Sequence, residues 1–551
     1  MGAFKTLIFS FFFPFCIIAN PQQILFLMHE NHPYEAFSQY QEIFHGKKHD
    51  FDLLRKMAFI MLQQGSKSLD DQIRRLTIFG AGISSSSYAI DILKTGVNCR
   101  EPQTQMLSLN FLSQFPEDKV TDLILNTALT SEFLPIRMEA AYFLAEKKHT
   151  AAIGIIDALM HRLPYVFKPY FPLYFALIGT PESLTILKNF LNDSNIDARI
   201  ETVLAIGRFH LDDLLPFIRQ KALQSSVEEQ EAYASAFAQL NDSKSIPILK
   251  KMANCSFETT KLAALKALFH LGDTSAKQEI EKIANNHNLF AINILADIPG
   301  SEVCLKELLK TNNEIVKLNT ALALLKRKDF SSLTHLTKFL LQDNDDIAYM
   351  PSLSPGRTLF FCKPKVVSAE KKEIRDEESY ISLAYRETVL KETLELPEEY
   401  FLNIASLILD NNQTDLVPLL TVLLENHQSE KTIALLQKNT QKLGAPLIRD
   451  YCNLAMFRMN KEGSYEEYVT RWIAQSNQEE IIELFTPSSI KQKYTQYQLT
   501  PKETSRLLLE MYVALAAKQQ EKSIEAIVEG IKNANTKNRY VLAGILIKAL
   551  D

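Results

Sequence analysis

The sequence predicts an all-α protein: an α-solenoid of stacked helix pairs with a further C-terminal helical domain. Three observations carry this. The segments AIGRFHLDDLLPFIRQKAL from Ala205, AFAQLNDSKSIPILKKMAN from Ala236 and ALFHLGDTSAKQEIEKIAN from Ala267 align without gaps at a period of 31 residues, and a fixed period in that range marks a solenoid. Two helices of about 11–12 residues with two connections of about 2–8 residues fill such a repeat. Glycine is also scarce, 16 in 551 residues against about 7% in average proteins, which suits a helical chain with few strained turns.

In chain order, the first element is MGAFKTLIFSFFFPFCIIANP, with one lysine and then an uncharged run from Leu7 to Ala19. The run is too short for a bilayer, which needs about 20 apolar residues. It reads as the apolar region of a secretory signal with Ala19 near the cleavage point, although Ile17 stands where a small residue is preferred. Residues 1–19 are therefore expected to be a signal peptide and the protein to be exported, periplasmic or cell-envelope associated. An uncleaved anchor or a buried first helix are the alternatives, and membrane contact is expected only through such an uncleaved segment.

Residues 20–100 are expected to form an N-terminal helical cap, since the end of an array would otherwise expose core. Here NHPYEAFSQYQEIF and FDLLRKMAFIMLQQG read as an antiparallel helix pair. The same region holds IFGAGISSSSYAIDIL, Ile78–Leu93, whose glycines and serines imitate a phosphate-binding loop. Such a loop needs a strand ahead of the glycines, and Ile73, Leu76, Ile78 and Phe79 are spaced as on a helix. No lysine follows in register. The simpler expectation is an inter-repeat turn: a helix C-cap at Gly80 or Gly82, then serine N-caps for a helix over Tyr88–Leu93.

Residues 101–342 carry the repeats. Ile178, Phe209, Leu240 and Leu271 form one column, Leu187, Ile218, Leu249 and Ile280 another, and Ala205, Ala236 and Ala267 a third; Pro216 recurs as Pro247. The alanines permit close helix approach while the large columns fill the layers between. LND and LGD are turns, with Asp or Asn as caps and Gly272 as a helix stop. After Leu271 the spacing drifts, Ile298 and Leu325 each following at 27. PIRMEAAYFLAEKKHTAAIGIIDALM (Pro135–Met160) and TTKLAALKALFHLGDTSAKQEIEKIA (Thr259–Ala284) resemble HEAT repeats of the short bacterial type. Arg137, Arg199 and Lys261 lie at or near that family's basic position. The resemblance implies a protein-binding scaffold, with the second helix of each unit lining a concave face and polar residues of the Ala-rich helices in the groove or on its rim; some members of the type are bilin lyases or cofactor-handling proteins.

The pattern breaks at residues 343–380, where Pro351, Pro355, Gly356 and Pro364 stop helices. RTLFFCKPKVV there is rich in aromatic and β-branched residues and suits a short hairpin. This is an irregular insertion or a linker. Helices return over 381–551: TPKETSRLLLEMYVALAAKQQ opens with Thr500, Pro501 and Glu503 as a capping box, SYEEYVTRW repeats the device with Ser464 and Glu467, and the last helix, RYVLAGILIKALD, is apolar on a broad face.

Function is narrowed mostly by what the chain lacks. The net charge of −5 and the absence of a basic stripe exclude a nucleic-acid track. The cysteines Cys16, Cys99, Cys255, Cys304, Cys362 and Cys452 are far apart and form neither a disulfide framework nor a zinc site; most are expected to be buried small hydrophobes. His29, Glu30 and His32 miss zincin spacing, Gly46 interrupts the pair His45 and His49, and His210, Asp212 and Asp213 fall in a repeat turn. No catalytic, cofactor-binding or metal-binding residue is assigned and no cofactor is expected. Candidate protein-binding residues are Arg208, Glu231, Gln239, Lys266 and His270, whose mixed charge suits a protein partner. The expectation is a non-catalytic scaffold for a protein partner. The alternatives are an enzyme or cofactor-handling protein akin to the bilin lyases, with a pocket at 343–380, and an envelope-anchored assembly or secretion factor.

Overall fold

The computed structural model describes residues 20–44, 46–341, 347–350, 361–364, 383, 386–411, 414–482 and 498–551; the expected signal peptide and most of the insertion lie outside them. The described chain is helical apart from two four-residue strands, Ile347–Met350 and Phe361–Pro364, paired antiparallel with Ile347 opposite Pro364. Among the described residues no helix is long and apolar enough to cross a membrane. The described helices gather into two compact units, one made of the described residues of 20–114 with 470–482 and Pro501–Asp551, the other of the described residues of 115–469 with 498–500.

In the first unit the two chain ends build one core. Its N-terminal helices are α1 (Pro21–His29), α2 (Pro33–Phe44), α3 (Phe51–Ser66), α4 (Asp71–Ser84), α5 (Ala89–Val97) and α6 (Pro102–Ser113). Their starts follow from capping residues: Asn20, Asp50, Asp70 and Glu101 accept backbone N–H groups of the first turn, and Pro21 and Pro102 sit where no donor is needed. The closing helix, Asn538–Leu550, buries nearly every residue from Val541 onward, as a helix apolar all round must, and packs on α3 and α4. The expected pairing of α2 with α3 is replaced by longer-range partners: α2 packs on α1 and on Glu521–Asn533, and α3 on α4 and the closing helix. Amphipathic spacing defines which face of a helix is apolar, not which distant helix covers it.

The glycine stretch is corrected here. Gly80 and Gly82 are not C-caps: α4 runs through both to Ser84, and Ser85 takes the left-handed conformation with φ 56°. A Cβ on Gly544 would be driven into the Gly80 backbone carbonyl, one on Gly80 into the carbonyl of Tyr540, and one on Gly82 into the ring of Phe111. The glycines are there for close helix crossing. The serines do not cap the next helix by side chain either, since it starts after Tyr88 with no such bond; Ser84 Oγ instead donates to Ala81 O at 2.6 Å.

The second unit contains the repeats. Its helices are α7 (Asp118–Thr130), α8 (Leu134–Glu146), α9 (Ala152–Arg162), α10 (Phe171–Ile178, preceded by the 3-10 turn Tyr165–Tyr170), α11 (Pro181–Phe190), α12 (Ile196–Arg208), α13 (Leu215–Ala222), α14 (Val227–Gln239), α15 (Ile246–Ala253), α16 (Glu258–His270), α17 (Ser275–Asn285), α18 (Leu289–Leu295), α19 (Glu302–Leu308), α20 (Glu314–Lys326) and α21 (Leu333–Leu341). Helices Glu398–Asp410, Val417–His427, Glu430–Asn439 and Pro446–Arg458 follow. The helices starting at Tyr465 and Pro501 begin directly after Ser464 and Thr500, the expected cap positions.

The 31-residue period is written into the backbone. The starts of α12, α14, α16 and α18 fall at 196, 227, 258 and 289. A left-handed residue ends the first helix of each unit at Lys148, Gly179, His210, Asn241 and Gly272, with φ of 51°, 66°, 50°, 50° and 99°. Leu187, Ile218, Leu249 and Ile280 are all fully buried, and Ala205, Ala236 and Ala267 are at most 5% exposed. In the other large column Ile178 and Leu240 are buried and Phe209 and Leu271 half-buried. The first step of the later drift has a local cause: α18 has only seven residues, against 13 in the corresponding helices α12, α14 and α16.

Candidate functional site

The Ala-rich first helices spend one face on packing and present the other to solvent, and the candidate residues sit on the second. Arg208, Gln239 and His270 occupy one repeat position, the last residue of α12, α14 and α16, and all three are exposed. Glu231 and Lys266 are half-exposed on the same helices. Each left-handed residue follows this column by two positions, so the row lies where the chain turns toward the second helix. Part of it is committed within the array. Lys266 Nζ lies 2.5 Å from Asp297 Oδ2, His270 Nε2 lies 3.2 Å from Asn241 Oδ1, and the Gln239 side chain covers Gly207, where a Cβ would meet its Oε1.

Other charges belong to a ladder that holds successive repeats together. Arg219 forms a bidentate pair with Asp242 at 2.6 and 2.7 Å. Lys250 stands 3.8 Å from Asp273 and Lys306 2.7 Å from Asp329. Each cation lies 23 positions before its carboxylate, so the second helix of one unit reaches the turn of the next. The same aspartates accept the backbone N–H of Lys244, Ser275 and Ser331, capping the following turn. Burial alone would raise the Asp329 carboxyl, but Lys306 and Ser331 hold it below its usual range; Asp273 is held down by Ser275 and Lys250. The basic column plays a similar part. Arg199 donates to Glu229 at 2.7 Å and to the Asp193 carbonyl at 2.7 Å, Arg137 to the Ala128 carbonyl at 2.8 Å, and Lys261 to Glu279 at 2.7 Å. Glu229 also closes the capping box with Ser226. His210 is the left-handed residue of its turn, and Asp212 and Asp213 open the 3-10 turn behind it.

Among the described residues no group of three or more His, Cys, Asp or Glu side chains could hold a metal ion. His32 faces Glu35 at 3.8 Å, and His45 lies outside the described residues. His49 is buried, stacks on Tyr40 and approaches Glu525 at 3.3 Å, a contact internal to the first unit. Cys452 is buried and Cys99, Cys255 and Cys304 are half-buried, and these four are free. A groove of about 470 Å³ in the first unit is lined by Ile473, Asn477, Lys522, Glu525, Glu529 and their neighbours, and most of its polar side chains are engaged within the fold. Asn477 is bonded to Tyr512 and the Gly530 carbonyl, and Gln41 donates to Glu525 and Glu529.

Sequence reasoning passed over one surface feature. Leu163–Gly179, LPYVFKPYFPLYFALIG, holds six aromatics and three prolines, and in the alanine column Phe143 and Tyr174 replace Ala205. Tyr165, Val166 and Tyr170 are 56%, 71% and 58% exposed. The visible signal was this local density of aromatics between prolines.

No family model matches the sequence, and no curated protein is similar to it. Solved structures do share likeness with it. The complex of CpcE and CpcF of phycocyanin lyase from Nostoc sp. PCC7120 matches with 17% identity and a TM-score of 0.29, covering 39% of this chain and 91% of that one. A β-catenin structure, from work on a phosphorylation switch controlling its interaction with cadherin, matches with 12% identity and a TM-score of 0.20 over 96% of this chain and 99% of that one. The myosin-folding chaperone UNC-45 matches with 13% identity and a TM-score of 0.21 over 96% of this chain and 64% of that one.

Proposed function

We propose that this protein is a non-catalytic α-solenoid scaffold that binds a protein partner along the exposed row of its Ala-rich helices, and that it is exported to the cell envelope or beyond. The observation carrying the reading is the division of labour along α12, α14 and α16. Buried columns and charge ladders hold the array, while Arg208, Gln239 and His270 recur at one exposed position, the last residue of each Ala-rich helix. A repeated surface of mixed chemistry suits an extended protein ligand, because each repeat adds contacts in register. Export rests on the N-terminal sequence alone.

Photo-crosslinkers placed at Gln239 and His270 in native cells test the binding reading. The expected result is one defined protein crosslinked at both positions and absent when the probe sits at the ladder residue Arg219, half-buried and paired with Asp242. Crosslinking no stronger there than at Arg219 would remove the reading. Sequencing the mature N-terminus tests export: a start near Asn20 is expected, and an intact Met1 would replace the exported form with an anchored or internal one.

A further inference from the structure

The aromatic surface of α8 and the following 3-10 turn has a composition that singles out one kind of ligand. Its floor is Tyr174, 7% exposed, with Tyr142 edge-on at 5.5 Å and Phe171 edge-on at 5.9 Å. Tyr170 stands one helical turn before Tyr174 and Glu139 one turn before Tyr142 on α8, and both act electrostatically on Tyr174. Glu146 lies one turn beyond Tyr142 on α8 and acts on its hydroxyl. The exposed rings are held in place. Pro164, Pro169 and Pro172 restrict the backbone, the Tyr165 hydroxyl lies 3.1 Å from Ser194 Oγ, and Lys168 is tied to Asp193 at 2.6 Å.

The carboxylates of this patch differ from those of the neighbouring ladder. Glu229, Asp242, Asp273 and Asp329 each face a cation of the array. Among the described residues, no Lys, Arg or His nitrogen lies within salt-bridge distance of Glu139 or Glu146. Burial, reinforced by Glu146, pushes the Glu139 carboxyl above its usual range, and the neighbouring Glu146 pushes Tyr142 up to about 12. The half-buried Glu139 and the exposed Glu146, beside the half-exposed Tyr142 and the exposed Tyr170, form a surface to which the array supplies no cation.

We propose that this patch docks a partner protein segment through an arginine, its guanidinium stacked on the Tyr170 and Tyr142 rings and hydrogen-bonded to Glu139 and Glu146. Arginine fits better than lysine because its plane stacks on an aromatic face while its edge donates to carboxylates. The acids repel nucleic acid and anionic lipid alike. The proposal rests on the scaffold reading and adds the chemistry of one contact.

The test is fluorescence anisotropy on the full chain with a labelled nine-residue peptide of alternating glycine and arginine, beside lysine and glutamate versions. Saturable binding of the arginine peptide is expected, several-fold weaker binding of the lysine peptide, and none of the glutamate peptide. Tyr170→Ala and the pair Glu139→Gln with Glu146→Gln should each weaken the arginine peptide about tenfold. Tyr170 is mostly exposed, so its variant keeps the thermal midpoint of the parent and isolates binding from folding. No saturable binding, or binding that both variants leave unchanged, overturns the proposal. A partner still crosslinked at Gln239 and His270 after such a failure leaves the scaffold reading standing, whereas loss of that crosslinking alone removes the scaffold reading and not the arginine site.

Discussion

The repeats of α12 to α17 and the helices α8 to α10 before them share a period and a turn but solve packing differently. In the first group alanine stands at the crossing column, and Gly207 lies so close to Ala236 that a Cβ there would stand 2.9 Å from its Cα. In the second group Phe143 and Tyr174 take the alanine positions, and a proline-broken 3-10 turn replaces the first half of a helix. Small residues seal a helix pair and leave the outer row polar. In the second group Tyr174 is itself buried, while Tyr165, Val166 and Tyr170 of the preceding 3-10 turn stand exposed. One backbone period thus serves cohesion in one region and an exposed aromatic patch in the next.

The comparison can be broken most strongly at its shared core. Leu249→Ala in a fully buried column should cost about 3 kcal/mol, the transfer and cavity cost of a sealed site, read as a lowered midpoint in urea unfolding. An equal loss from Phe143→Ala, which is only half-buried, would mean that the aromatic region is packed as tightly as the regular one. Next comes the crossing column: Ala236→Leu should cost about 2 kcal/mol by overpacking, measured the same way, whereas a neutral result would show that the alanine column has room to spare. Asp242→Ala follows, at about 2 kcal/mol, because it strands Arg219 and uncaps a turn; Arg219→Met, which removes the partner that needs neutralising, should be milder when set beside Arg219 with Asp242→Ala in a double-mutant cycle.

A smaller effect is expected from pH. Burial opposes ionisation of Glu229, but Arg199 and Ser226 outweigh it and hold its carboxyl below the usual range; Asp273 and Asp329 are lowered too. Carboxyls with a lowered folded-state value stabilise the fold above their unfolded value, about 4, and that stability disappears as pH falls through the folded value. The urea midpoint should therefore drop on acidification below about pH 4, and Glu229→Gln should flatten the drop. The smallest change is expected from Tyr170→Ala, within about 0.5 kcal/mol of the parent by thermal unfolding, since an exposed ring contributes little to the fold.

The regular repeats were the legible part of the molecule. Gap-free alignment at 31 located the left-handed turn, the alanine column and the fully buried Leu187, Ile218, Leu249 and Ile280, because these properties depend on residues within one repeat of each other. The mixed-charge row was legible as well, but its commitments were not: that Lys266 meets Asp297 and His270 meets Asn241 depends on how neighbouring repeats stack. The aromatic patch was visible as a cluster of rings and prolines, yet nothing in its order along the chain placed Glu139 and Glu146 beside Tyr142 and Tyr174.

By itself the sequence determined the helical class, the repeat length and the chemistry of each turn, since these follow from local spacing, capping and backbone preference. Only the tertiary structure decided that Gly80 and Gly82 lie inside a helix, that Gly80 crosses Gly544, and that the closing helix and α4 share one core. A glycine that ends a helix and a glycine that admits another helix are the same residue on paper. The distinction lies in what approaches its missing Cβ, and here that neighbour comes from the opposite end of the chain.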